Sequence, residues 1–200
     1  GEMKDLDSAS LDDVKNWFRQ YYGPNNNVIV VAGDVNTDTV YEKIKKYFGA
    51  IPACPPITKQ NAWIAKMTGI HYQRAQDRVP QARLQKTWNT PQWGTADNAY
   101  LNLLSDILTN GKSSRLYKRL VYDEQLSNNV FSYVYAREIA GQFNIFADAK
   151  PGVSVNKIDS IINQELKKIL KDGPTAEELE RAKTNYFANF VKGMERIGGF

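Results

Sequence analysis

Leu108-Thr109-Asn110-Gly111-Lys112-Ser113-Ser114-Arg115-Leu116-Tyr117-Lys118-Arg119-Leu120-Val121-Tyr122-Asp123-Glu124-Gln125-Leu126 is the stretch on which the reading of the fold turns. Asn110-Gly111 is a helix stop, because glycine adopts the left-handed conformation of a C-terminal cap without penalty. Ser113 or Ser114 then offers a hydroxyl to the unpaired amides of a second, short helix. Leu116 and Leu120, with Tyr117, fall on one face of that helix, while Arg115, Lys118 and Arg119 point to water or a partner. The stretch therefore joins a helix to a short helix.

A strand hairpin comes next. Asn129 to Ala136 and Gln142 to Asp148 alternate with period two around Arg137-Glu138-Ile139-Ala140-Gly141. Before the stretch, Thr95 caps a helix expected to bury Ala99, Tyr100, Leu103, Leu104, Ile107 and Leu108. Further upstream, His71 to Gln76 and Ala82 to Asn89 read as two strands. After the hairpin, one helix is expected to bury Ile158, Ile161, Ile162, Leu166, Ile169 and Leu170. Gly173-Pro174 ends it, and Thr175 with Glu178 caps a last helix carrying Leu179, Ala182, Tyr186 and Phe190 on one side. The unit from 70 to 200 is thus α+β, an antiparallel sheet with helices packed on one face.

The first fifty residues have a different rhythm. Ser10 and Asp13 form a capping-box start for a helix with the stripe Leu11, Val14, Trp17, Phe18 and Tyr21, which Gly23-Pro24 stops. Val28 to Ala32 reads as a strand buried on both faces. A helix from about Thr37 is expected to bury Val40, Ile44, Tyr47 and Phe48. Residues 50 to 69 hold three of the eight prolines, marking a linker between structural units.

Three pieces, in this order and spacing, resemble the pitrilysin/insulinase superfamily of zinc metallopeptidases, which includes the mitochondrial processing peptidases. They are Tyr21 to Val35, the Gly-x-Ser-Ser-Arg-Leu run with its Leu-x-x-acidic-x-x-Leu continuation and aromatic hairpin, and Pro174 to Lys183. The resemblance implies a LuxS/processing-peptidase-like layout built from repeated units. On that reading residues 1–49 are the helix-strand-helix end of the preceding repeat, 50–69 the linker, and 70–200 a C-terminal-type unit. Gly1-Glu2-Met3 reads as a cut inside a longer protein, and the end at Gly198-Gly199-Phe200 as a second truncation. An unpaired buried edge is costly, so the Val28 to Ala32 strand is expected on the vacant sheet edge, within one chain or swapped in a homodimer.

The chemistry is bounded by what the chain lacks. One histidine, His71, and one cysteine, Cys54, are too few for a His-rich zinc site, and no His-x-x-Glu-His motif is present. The resemblance implies that zinc sits in an upstream catalytic domain, so this chain is expected to hold no cofactor and to cleave nothing alone. Gly111-Lys112-Ser113 lacks the earlier glycine of a phosphate loop, that position being Asp106. The net charge of +4 is spread over amphipathic helices, which argues against nucleic acid. No apolar run reaches the length of a membrane span. A lone cysteine excludes an internal disulfide and leaves the compartment open, a periplasmic or secreted one being compatible.

In the resembled peptidases this unit faces the zinc-bearing half across a closed chamber and helps hold peptide substrate. The motif's substrate-polarising Arg and Tyr fall here on Val121 and Asn128, so that role is not carried over. The candidate substrate-binding residues are Ser113, Ser114, Arg115, Arg119 and Tyr122, with Tyr133 a second source of hydroxyl; helix-surface solvation is the plainer reading of each. The expected partners are the upstream catalytic domain, on the same chain or a partner subunit, and a peptide. The sequence thus reads as a non-catalytic domain of a zinc-dependent metalloendopeptidase. A structural or interaction subunit that has lost proteolysis is the alternative.

Overall fold

Alternation along the hairpin sets the architecture. A computed structural model describes residues 2–195, so the expected ends at Gly1 and Gly198-Gly199-Phe200 lie outside the described residues. The chain divides into two compact units, Gly1–Gln60 and Asn61–Phe200.

In the second unit, β1 (Arg83–Thr90), β2 (Ser127–Ala136) and β3 (Gly141–Ala149) form an antiparallel sheet in the order β1-β3-β2. The register pairs Phe131 with Phe146 and Val134 with Phe143 on β2 and β3, and Trp88 with Phe143 on β1 and β3. Because side chains alternate across a strand, Val130, Phe143, Ile145, Ala147 and Ala149 all point to one side. There they meet Leu108, Leu116, Leu120, Leu126, Ile158, Ile161 and Ile162 in the main core. These come from α4 (Ala96–Thr109), the stretch beyond it and α6 (Val155–Asp172), while α7 (Ala176–Met194) adds a smaller cluster of Ala182 with Ile107 and Ile169. Within this unit the helices lie on one face of the sheet only.

The caps follow the sequence. Thr95 accepts from the Asn98 amide, Thr175 and Glu178 form a reciprocal box, and Gly111 takes φ +83° past the end of α4. The opening stretch winds more widely than expected. α5 (Arg115–Tyr117) runs into a π-helical turn over Lys118–Asp123, whose wide bonds include Glu124 N–H to the Arg119 carbonyl at 3.0 Å. Leu116 and Leu120 are fully buried as their spacing implies. The turn ends on Gln125 at φ +52°, a left-handed position without glycine.

One sheet edge is closed by side chains. Ser132 of β2 donates its amide to Thr109 Oγ1 at 2.9 Å, and its carbonyl accepts from Ser105 Oγ at 2.8 Å. Both partners lie on α4, so at Ser132 this helix satisfies the outward backbone groups that an added strand would use. β1 carries no strand on its outer side among the described residues.

Several expectations fail, and for related reasons. His71 to Gln76 is unpaired and exposed rather than a strand; its weak alternation gave it no face to bury. Val28 to Ala32 forms no ladder, with Val28 90% and Val30 82% exposed, and it occupies no edge of this sheet within one chain. β-branching stiffens a chain but cannot supply a partner strand. Leu170 is 84% exposed, and Tyr100, Tyr186 and Phe190 also stay on the surface, because each sits at the margin of a stripe whose centre meets the core.

The first unit holds α1 (Met3–Ser8), α2 (Leu11–Tyr21) and α3 (Thr37–Phe48). The Ser10/Asp13 capping box forms as read, and Asn36 caps α3 by accepting from the Thr39 amide. None of the three helices buries a residue fully; Val40 and Ile44 are half-buried, while Tyr47 and Phe48 are exposed against expectation. What closes this unit is a polar clasp. Asn25 accepts from the Cys54 amide at 2.8 Å and from its thiol at 3.1 Å, and donates to its carbonyl at 3.0 Å.

Candidate functional site

Sequence-predicted residues and unforeseen partners converge at a charged cleft of about 690 Å³ on the helical side of the second unit. Ser113, Arg115 and Arg119 line it, with Glu124, Glu165 and Glu178 opposite. Ser114 and Tyr122 are not in its lining. Ser114 is fully buried. It occupies the cap position of α5, yet its hydroxyl donates to the Gly111 carbonyl at 2.7 Å instead of accepting from a helix amide. Tyr122 stands 73% exposed away from the cleft.

The two arginines were expected to face water or a partner and instead turn inward. Arg115 grips Glu178 with two hydrogen bonds, Nε to Oε1 at 2.6 Å and Nη2 to Oε2 at 2.7 Å, and also donates to the Gly173 carbonyl at 3.2 Å. Glu178 in turn accepts from the Thr175 amide at 2.8 Å. This fork locks the α6–α7 turn to α5. The Arg115 hydrogen bonds, opposed by burial and helped by the Thr175 amide, hold the Glu178 carboxyl down at about 2.

Arg119 spreads over three acceptors: Glu165 at 2.7 Å, Gln164 at 2.6 Å and Glu124 at 3.1 Å. Burial raises the Glu165 carboxyl, but hydrogen bonds from Lys168 and Arg119 more than offset it, and the net direction is down. Asp123 and Glu124 pair with Lys118 and Arg119. With both guanidiniums saturated by carboxylates, the cleft is a set of internal clamps more than an open anion site.

Val121 packs partly buried against the core, and Asn128 donates its side-chain amide to Gln81 Oε1 at 2.7 Å. Neither supplies the cation or phenol that the resemblance places there. Nor do the residues present fit a zinc ion: among the described residues no three His, Cys, Asp or Glu side chains cluster to hold a metal. His71 is exposed, and the Cys54 thiol is engaged by Asn25. Among the described residues no helix is long and apolar enough to cross a membrane.

The sheet face away from the helices is the region that the sequence reading did not single out. Phe131, Tyr133 and Phe146 stack there nearly parallel, with ring centroids 4.9, 5.8 and 6.4 Å apart, and Tyr135 continues the row. The signal was present in the period-two aromatics 131, 133 and 135, which must share a face. Arg83 and Asp148 close one end of this face with a bidentate pair at 2.6 and 3.0 Å.

The family model for the peptidase M16 inactive domain matches residues 8–186. The zinc protease PqqE of Helicobacter pylori (strain ATCC 700392 / 26695) is 29% identical over 201 residues, covering 98% of this chain and 45% of that protein. Among solved structures, a protease from Helicobacter pylori superposes with a TM-score of 0.81 at 26% identity, over all of this chain and 49% of the other. A peptidase M16 inactive domain from Pseudomonas fluorescens, at 22% identity and a TM-score of 0.76 over 93% of this chain and 45% of the other, shares the fold. This chain spans somewhat under half the length of these curated relatives. With the match running through the helix-sheet unit and its clamped turn, the chain belongs to the peptidase M16 inactive domain family.

Proposed function

We propose that this chain is the non-catalytic half of a zinc-dependent metalloendopeptidase, and that it encloses a peptide against a zinc-bearing half lying upstream. The observation that carries this is the one-sided sheet. Helices cover one face, and within the second unit the other carries a row of aromatic rings beside the polar side chains of Gln85, Thr87, Asn89, Gln142 and Asn144. Such a surface gives an extended peptide flat apolar contact at little entropic cost. On this reading residues 1–49 complete the upstream half, residues 50–69 link, and residues 70–200 form the enclosing unit. The exposed stripes of α2 and α3 and the unpaired Val28 to Ala32 run support that division, since strands and amphipathic helices bury such surface when a partner is present.

The test is reconstitution. The zinc-bearing half is mixed with this chain and cleavage of a fluorogenic peptide is followed. Neither part alone is expected to turn over, and the mixture is. A Tyr133→Ser, Phe146→Ser double variant raises KM several-fold with little change in kcat, the pattern of lost uniform binding. Turnover by this chain alone, or no effect of adding it, defeats the proposal.

One observation favours a second reading, a structural or interaction subunit without proteolysis. Val121 and Asn128 stand where the resembled peptidases carry a polarising Arg and Tyr that a working chamber would use. An intact upstream His-x-x-Glu-His motif decides for the peptidase and its loss for the scaffold.

A further inference from the structure

At the hairpin end of the open sheet face lies a second pocket, of about 280 Å³. Its position is built by backbone. Trp63 donates its amide to the Ile139 carbonyl at 3.2 Å, and Asn89 Nδ2 donates to the Ala65 carbonyl at 2.9 Å, so the 63–65 segment is held beside the turn. Gly141 belongs to the same lining, and it leaves no room for more: a Cβ there would come 2.7 Å from Thr90 Oγ1 and 2.9 Å from Ala136 Cα.

The lining carries one cation, Arg137, and no carboxylate. Its guanidinium carbon lies 4.6 Å from the Tyr135 ring centre, and no ion pair engages it among the described residues. Arg83, Arg115 and Arg119, by contrast, are each paired. Arg137 is also anchored along the chain, its amide donating to the Ala140 carbonyl at 3.1 Å and its own carbonyl accepting from the Trp93 amide at 2.9 Å. Its neighbour Glu138 stands outside the lining. An aromatic-backed guanidinium on an anchored backbone, without an anion and flanked by the exposed rings of Trp63 and Tyr135, is complementary to a carboxylate on an otherwise apolar chain.

We propose that this pocket is a subsite for a carboxylate of a bound peptide, either its C-terminus or an acidic side chain, with Arg137 pairing the anion and Trp63 and Tyr135 holding the residue that bears it. The subsite deepens the enclosure reading above and rests on it. It would fix one end of a peptide whose remaining side chains lie along Tyr133, Phe131 and Phe146.

The test uses the whole chain and N-terminally fluorescein-labelled hexapeptides of sequence Gly-Ala-Phe-Ala-Phe-Ala, read by fluorescence polarisation. One ends in a free carboxylate, one in an amide, and a third is amidated with glutamate replacing the last alanine. Either acidic form is expected to bind roughly three- to tenfold tighter than the neutral amide at low salt, and the gap closes at high salt. Which acidic form gains tells C-terminus from side chain. Arg137→Gln removes the gap, Arg137→Lys restores part of it, and Trp63→Ala weakens all three peptides. Equal binding of the three, or a gap unchanged in Arg137→Gln, overturns the subsite and leaves enclosure standing. Failure of every peptide to bind overturns both.

Discussion

The two units of this chain carry amphipathic patterns of similar quality and arrive at opposite outcomes. In Asn61–Phe200 the stripes of α4 and α6 close over the alternating face of the hairpin, and Leu108, Leu116, Leu120, Ile145, Ile158 and Ile162 lose essentially all contact with water. In Gly1–Gln60 the stripe of α2 leaves Leu11, Trp17 and Phe18 more than half exposed. Its rings pair along the helix, Trp17 with Tyr21 at 4.4 Å and Phe18 with Tyr22 at 4.5 Å, rather than with a second layer. Periodicity states which face seeks burial; it does not provide the surface that buries it.

The sharpest way to break this contrast is to truncate one residue in each unit. Leu120→Ala should destabilise the second unit by about 2–5 kcal/mol through lost transfer energy and a cavity, measured by urea denaturation. Trp17→Ala, lacking a core to vacate, should change stability by less than about 0.5 kcal/mol. Equal costs would mean that the first unit has a core of its own. On the enclosure proposed above, adding a zinc-bearing half should make the Trp17 substitution costly.

Next in size is Gly141→Ala. The intruding Cβ meets strand backbone and Thr90, which cannot swing aside, and a loss of about 1–3 kcal/mol is expected. Thermal melts would show it in the second unit, with the first left unchanged.

The clamp on Glu178 gives the second unit a pH dependence of its own. Its carboxyl sits at about 2 in the folded chain against an ordinary 4.5. The stabilisation is therefore present in full above about pH 4.5 and fades as pH falls toward 2. Glu178→Gln should cost about 1–2 kcal/mol at neutral pH and flatten that part of the acid limb. A variant whose acid limb is as steep as the parent's would remove Glu178 from the account.

The smallest effect has the opposite sign. Gln125 holds φ +52° where the π turn releases the chain into β2, and Gln125→Gly should stabilise by about 0.5–1 kcal/mol. A loss on denaturation would mean that the side chain contributes more than the strain costs.

Much of the second unit was legible. Helix ends announce themselves through Thr95, Gly111, Gly173 and Thr175, and hairpin faces through strict alternation, because both are governed by neighbours within four residues. The candidate site was legible only in part. Ser113, Arg115 and Arg119 do line one cleft, but Arg115 meets a glutamate sixty-three positions away, and nothing local to either residue specifies that meeting. Val28 to Ala32 shows the same limit from the other side, a strand-like composition without a strand.

The residues alone determined the caps, the alternation of the hairpin, the buried leucines after Gly111 and the scarcity of metal ligands, since each follows from local sterics or from counting. Only the folded chain decided that carboxylates saturate both arginines, that α4 engages the β2 edge at Ser132, and that within the second unit a row of aromatic rings stays off the helical face. Those outcomes depend on which distant surfaces come within a few ångströms, and that distance is set by the packing of the whole unit rather than by any stretch within it.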